Sequence, residues 1–223
     1  MSPDGVNISI VSPLPEWLLA AQPQQLRLGV MASGNGSNLE AIAEAIASGQ
    51  LNAKIQVLIY NNPAAKVAQR AERWGIPAVL LDHRAFPSRE LLDAAIIQTL
   101  LECEADWVIM AGWMRRVTQV LIEAFPQRIL NIHPSLLPSF PGMRAVEQAI
   151  AAGVKISGCT VHLVELAVDS GPIVMQAAVP VLPADTAATL QARIQQQEHR
   201  IYPPAIALAA QQLSDGSEDS SLF

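Results

Sequence analysis

Two cysteines, Cys103 and Cys159, are all that 223 residues hold. That excludes a disulfide framework and a Cys-based zinc site. Aromatic residues make up only 4% of the chain, so its core must be aliphatic, built from Ala, Leu, Ile and Val. Charged residues reach 15% against 51% hydrophobic, which excludes global disorder. No apolar run approaches the roughly 18 residues that a membrane span needs. The first 26 residues contain neither Lys nor Arg, which speaks against a secretory signal and an Arg-rich transit peptide. The expected compartment is the cytoplasm. Acidic residues outnumber basic ones 20 to 14, a net charge of −6. Such a surface repels nucleic acid but leaves room for one locally positive site for a small anion. His83 and His162 have no acidic or Cys partner at metal-ligand spacing, so no metal is expected.

What is present is an alternation of buried strands and amphipathic helices. A chain this long buries roughly 70–75% of its unfolded surface and needs no staples. Short apolar runs at Arg27–Ala32, Ile55–Tyr60, Ala78–Leu81, Trp107–Ala111 and Ile129–Ile132 read as strands covered on both faces. Cys159–Leu166 and Pro172–Val179 read as a hairpin around Asp169-Ser170-Gly171. Helices are predicted after Ser37, over Pro63–Trp74, Pro87–Glu104 and Gln119–Phe125, and from a cap at Asp185 to about Arg200, limited by Pro203 and Pro204. Ser37-Asn38-Leu39-Glu40 has the form of a capping box. The fold class is therefore α/β, a doubly wound, mostly parallel sheet with antiparallel C-terminal strands. Residues 1–25, with four prolines, read as an extension docked through Trp17, Leu18 and Leu19. Residues 26–212 read as one domain, and 213–223 as a frayed acidic tail.

Four segments can carry chemistry. Ser33-Gly34-Asn35-Gly36-Ser37-Asn38 follows the first buried strand and opens a helix, where unpaired N–H groups and the helix dipole favour an anion. It is equally an ordinary capped turn, and it is neither the dinucleotide fingerprint nor a Walker loop. Asn131 and His133, two residues apart on a strand, project to one side. An Asn amide can donate to an oxyanion and a His can move a proton; the plain alternative is a satisfied histidine in a proline-rich turn. Asp169 is either a turn residue or the carboxylate that favours a protonated His133. Arg115 and Arg116 either attract an acidic ligand or begin a solvated helix.

Together these segments resemble the phosphoribosylglycinamide formyltransferases, folate-dependent enzymes of purine biosynthesis. The resemblance runs from about Arg27 to Ala207. It rests on Ser33–Leu39, Ala111–Arg115, Asn131–Pro138 with Pro141-Gly142, Gly158–His162, Asp169–Pro172, Gln197–His199 and Tyr202-Pro203. It implies a Rossmann-like fold and transfer of a formyl group from 10-formyltetrahydrofolate, as co-substrate, to the amine of glycinamide ribonucleotide. By the same resemblance, Asn131 donates to the oxyanion, His133 gives a proton, and Asp169 keeps His133 protonated and relays protons through water. Gly36, Ser37 and Asn38 hold the phosphate and Glu198 meets the ribose. Arg89, Met114, Arg115, Arg116 and Val117, with Asn131, line the folate pocket. No metal is implied, and the partners are small molecules, with the chain a monomer or homodimer. Where the family often carries His-x-His, this chain has Arg144-Ala145-Val146, with Arg144 a possible cation near phosphate. The rivals are a formyltetrahydrofolate hydrolase, a methionyl-tRNA formyltransferase and a non-catalytic binding domain. The first two usually carry further domains, which leaves the transferase as the expectation.

Overall fold

The computed structural model describes residues 10–12 and 24–214. The expected docking through Trp17, Leu18 and Leu19 falls outside the described residues, as do residues 215–223. In chain order the elements are β1 (Ile10–Ser12), β2 (Leu26–Ala32), α1 (Ser37–Ala47), β3 (Ala53–Tyr60), α2 (Val67–Arg73), β4 (Ala78–Leu80), α3 (Arg89–Glu102), β5 (Trp107–Met110), α4 (Gln119–Ala124), β6 (Ile129–His133), α5 (Ala145–Ala151), β7 (Ile156–Leu163), β8 (Ile173–Pro180) and α6 (Ala187–Ser214).

Eight strands form one sheet in the order β1-β8-β7-β6-β5-β2-β3-β4. The block from β6 to β4 is parallel, while β7, β8 and β1 each run antiparallel to their neighbours. Period-two alternation decides which side each strand residue takes. Leu28, Val30, Ile109 and Leu130 pack with Leu39 and Ile42 of α1 and with Leu190 and Ile194 of α6. Met31, Val57, Val108 and Met110 pack on the other face with Leu92, Ile96 and Leu100 of α3 and Leu121 of α4. Strand order reverses between β2 and β5, so a crevice opens beyond their carboxyl ends, where open α/β sheets bind ligands.

Four expectations need correction. First, α6 does not stop near Arg200 but continues through Pro203 and Pro204 to Ser214. An interior proline costs a helix about 3 kcal/mol. Fully burying a large apolar side chain returns about 1.5–3 kcal/mol, and Ile201, Tyr202, Ile206 and Leu208 are all buried; together they outweigh two prolines. Leu213, assigned to the tail, packs against the core instead.

Second, the caps differ. Gly36, not Ser37, precedes α1, with no side-chain cap, and Glu40 pairs with Arg70 and Arg73 rather than with the backbone. Thr186 Oγ1 accepts the Thr189 N–H at the start of α6, while Asp185 receives both arms of Arg193 at 2.7 and 2.9 Å. Those arms hold the Asp185 carboxyl far below the ordinary carboxylate range.

Third, α5 was not foreseen. It starts after Arg144, itself in the left-handed region at φ 61°, where sequence patterns alone read a loop. Fourth, residues 10–12 of the extension are a strand, with Val11 opposite Ala177 and buried in the core.

Candidate active site

The turn after β2 is shaped by Gly36, at φ +80°. A Cβ built there stands 2.5 Å from Val67 Cγ2 and 2.9 Å from Val67 Cα, so α2 leaves no room for one. The turn is further tied to α2 by the Val67 N–H on Gly34 O at 3.1 Å and by Arg70 Nε on Asn35 O at 2.8 Å. At the start of α1, Ser37 Oγ accepts from Gln195 Nε2 at 2.8 Å. Asn38 Nδ2 donates to Glu198 Oε2 at 3.0 Å, while Asn38 Oδ1 is buried with no partner. Burial pushes the Glu198 carboxyl up, against the Asn38 hydrogen bond. A groove of about 800 Å3 between α1 and α6 touches Ser37, Arg70 and His199 but none of Asn131, His133 or Asp169.

We expect Gly36→Ala to lower unfolding free energy by about 2 kcal/mol or more, because it combines a left-handed backbone with overpacking. Urea denaturation checks this. A loss below roughly 0.5 kcal/mol, the scale of a surface change, refutes the crowding argument.

Asn131 and His133 stand on β6 opposite His162 and Thr160 of β7. His133 is buried, its Nε2 on Phe140 O at 2.9 Å and its Nδ1 3.3 Å from Asp169 Oδ2. Both neighbours are acceptors: Nε2 is at hydrogen-bond distance from the carbonyl and Nδ1 at ion-pair distance from the carboxylate. Asp169 sits at φ 52° in the turn before β8 and also receives the Gly142 N–H at 2.7 Å. Phe140 and Gly142 are themselves left-handed, at φ 54° and 81°. That bent segment presents a carbonyl to His133 and an N–H to Asp169. Burial pushes the Asp169 carboxyl up, but the adjacent His162 and His133 side chains and the Gly142 N–H outweigh it and leave it lowered.

His162 was not foreseen as part of this set. Its Nδ1 meets the Leu163 carbonyl at 2.8 Å. If that nitrogen carries the proton, Nε2 is an acceptor and takes an N–H of the Asn131 amide at 3.2 Å. The amide then has its second N–H free for an oxyanion. Two other supports were also missed. Gln195 holds Ser37, and Tyr202, fully buried, sets its hydroxyl 3.1 Å from Met110 O and 3.2 Å from Leu130 O, beside Asn131. The local signals were the Gly158–His162 and Tyr202-Pro203 motifs, which carry no geometry by themselves.

The formyl transferase family matches residues 26–206. The phosphoribosylglycinamide formyltransferase of Bacillus subtilis is 41% identical over 180 residues, 81% of this chain and 92% of that protein. The chain belongs to this family. A solved glycinamide ribonucleotide transformylase from Symbiobacterium toebii superposes with a TM-score of 0.83 at 48% identity, covering 86% of this chain and 91% of its own. The human trifunctional purine biosynthetic protein adenosine-3 is 42% identical over 189 residues. The chain spans only 19% of that protein's length.

Residues expected to line the folate pocket fall in three places, one of them Asn131 on β6. Arg89 opens α3, and Met114 to Val117 follow β5. Met114 is 82% exposed, Arg116 is exposed, and Arg115 Nε is buried without a partner. Val117 points into the apolar cluster under α3 and so offers its backbone rather than its side chain. Ser33 joins this loop to the turn after β2: its N–H meets Gly112 O at 3.0 Å and its Oγ accepts the Met114 N–H at 2.9 Å. Arg144 is exposed and faces Glu147 at 3.7 Å. Among the described residues, no three His, Cys, Asp or Glu side chains are set to hold a metal ion. No described helix is long and apolar enough to cross a membrane. Cys159 is buried, and burial pushes its thiol up.

Proposed function

We propose that the chain performs its family's transfer on 10-formyltetrahydrofolate and glycinamide ribonucleotide, with Asn131, His133 and Asp169 as the reacting set. The reading rests above all on His133 standing between Asp169 and the Phe140 carbonyl, on the same strand as Asn131. The substrate amine attacks the formyl carbon and a C–N bond forms. The formyl oxygen takes the negative charge and receives the free Asn131 N–H. His133 supplies a proton as the folate nitrogen departs with the electrons of the breaking C–N bond. The proton lost by the attacking amine leaves through water toward Asp169. These are the tasks of oxyanion stabilisation and acid–base relay.

The uncapped start of α1 supports the phosphate assignment of Gly36, Ser37 and Asn38. Glu198 and the unpartnered Asn38 Oδ1 are acceptors for ribose hydroxyls. The Gly112–Thr118 loop and Arg89 form the folate side. We place the activity in the cytoplasm, on small-molecule partners. Loss of 10-formyltetrahydrofolate, followed with and without glycinamide ribonucleotide, tests the reading. Turnover only with the ribonucleotide is the expected result. Equal loss without it indicates a hydrolase and overturns the acceptor assignment.

A further inference from the structure

We propose that Asp93 is a positioning residue whose buried carboxyl pins the Gly112–Thr118 loop in the shape that receives the folate co-substrate. The proposal rests on the reading of that loop as the folate wall. Asp93 lies on the apolar face of α3, beside Leu92, Ile96 and Leu100, and is 2% exposed. An aliphatic residue suits that place better, because a buried carboxyl costs free energy unless its hydrogen bonds repay it. Burial pushes this carboxyl up, against the pull of its Thr118 hydrogen bond. That bond, from the Thr118 N–H to Asp93 Oδ2, is 2.6 Å long.

The loop has little else to hold its far end. Its near end is tied to Ser33 through Gly112 O and the Met114 N–H. No backbone-to-backbone hydrogen bond holds residues 113–117 among the described residues. Trp113 and Val117 sink into the cluster that contains Leu92 and Ile96, while Met114 and Arg116 stay outside. Apolar packing is not directional and leaves the rotation of the loop open. A short bond to a carboxyl on a fourteen-residue helix fixes it. Arg89 precedes Asp93 by four residues and lies on the same side of α3, so one helix presents the folate-side cation and holds the loop.

The full chain tests this with Asp93→Leu and Asp93→Asn, which match the volume with and without an oxygen acceptor. Leu removes the acceptor, so the Thr118 amide should exchange with deuterium about tenfold faster and KM for 10-formyltetrahydrofolate should rise about tenfold. KM for the ribonucleotide should stay within about twofold, and Asn should restore both readouts. Faster exchange with an unchanged folate KM overturns the proposal, as does an equal rise in both KM values. Unchanged exchange overturns the pin itself. If the unaltered protein does not consume the folate, the functional reading fails, while exchange at Thr118 still decides whether Asp93 holds the loop.

Discussion

Asn131→Ala is expected to lower kcat by roughly 100- to 1,000-fold, the usual consequence of losing one oxyanion donor. The expectation follows from the way the amide is held. With the His162 proton on Nδ1, facing the Leu163 carbonyl at 2.8 Å, Nε2 takes one of the amide N–H groups at 3.2 Å. The remaining N–H therefore needs no reorganisation when negative charge develops on the formyl oxygen. Both KM values should change little, because this bond strengthens only in the transition state. Steady-state kinetics on a variant with an unchanged circular dichroism spectrum provide the check. A kcat within about threefold of the parent would take Asn131 out of the chemistry.

Asp169→Asn comes second, with an expected fall in kcat of roughly 10,000-fold, by comparison with another carboxylate that orients a catalytic imidazole. The amide keeps an oxygen for the Gly142 N–H but brings no charge to the two histidines that flank the position at 3.3 and 3.6 Å. Its effect on stability has a defined pH dependence. Since folding lowers the Asp169 pKa, the unfolded chain takes up the proton first as pH falls. The carboxylate therefore contributes stability above pH about 4 and loses that contribution as the medium becomes more acid. The stability gap between the parent and Asp169→Asn should be full at neutral pH and shrink below pH about 4. Denaturant titrations from neutral to acid pH measure it, and a gap that widens toward acid would contradict the lowered pKa.

The central sheet was legible because its strands are apolar runs of the kind that a two-sided parallel sheet requires. Asn131 and His133 were legible for a related reason, since a spacing of two on a strand fixes a common side. The turn after β2 was legible from two glycines before a helix, although its cap was misread. Ser37 and Glu40 look like a reciprocal cap, but Gln195 and Arg70, 158 and 30 positions away in sequence, take those side chains instead. Local pattern cannot weigh partners brought in by the fold. The same blindness hid α6 beyond Arg200, where the proline penalty is visible in sequence and the compensating burial is not. His162 was seen and passed over because its partners, Asn131 and Asp169, meet it only across the β6–β7 pairing and through a left-handed turn.

The strand recovered from the N-terminal extension bears on how this molecule tolerates neighbours. A long bare strand at the margin of a sheet is a template that another polypeptide can copy hydrogen bond by hydrogen bond. Here β1 occupies the middle of β8, from Gln176 to Ala178, and Pro180 closes that strand without an N–H to offer. The opposite margin is β4, three residues long. Among the described residues, each side of the sheet therefore ends in a three-residue strand, a short template for edge-to-edge pairing. By pairing with β8, Ile10–Ser12 take up hydrogen-bonding groups that another strand could otherwise copy.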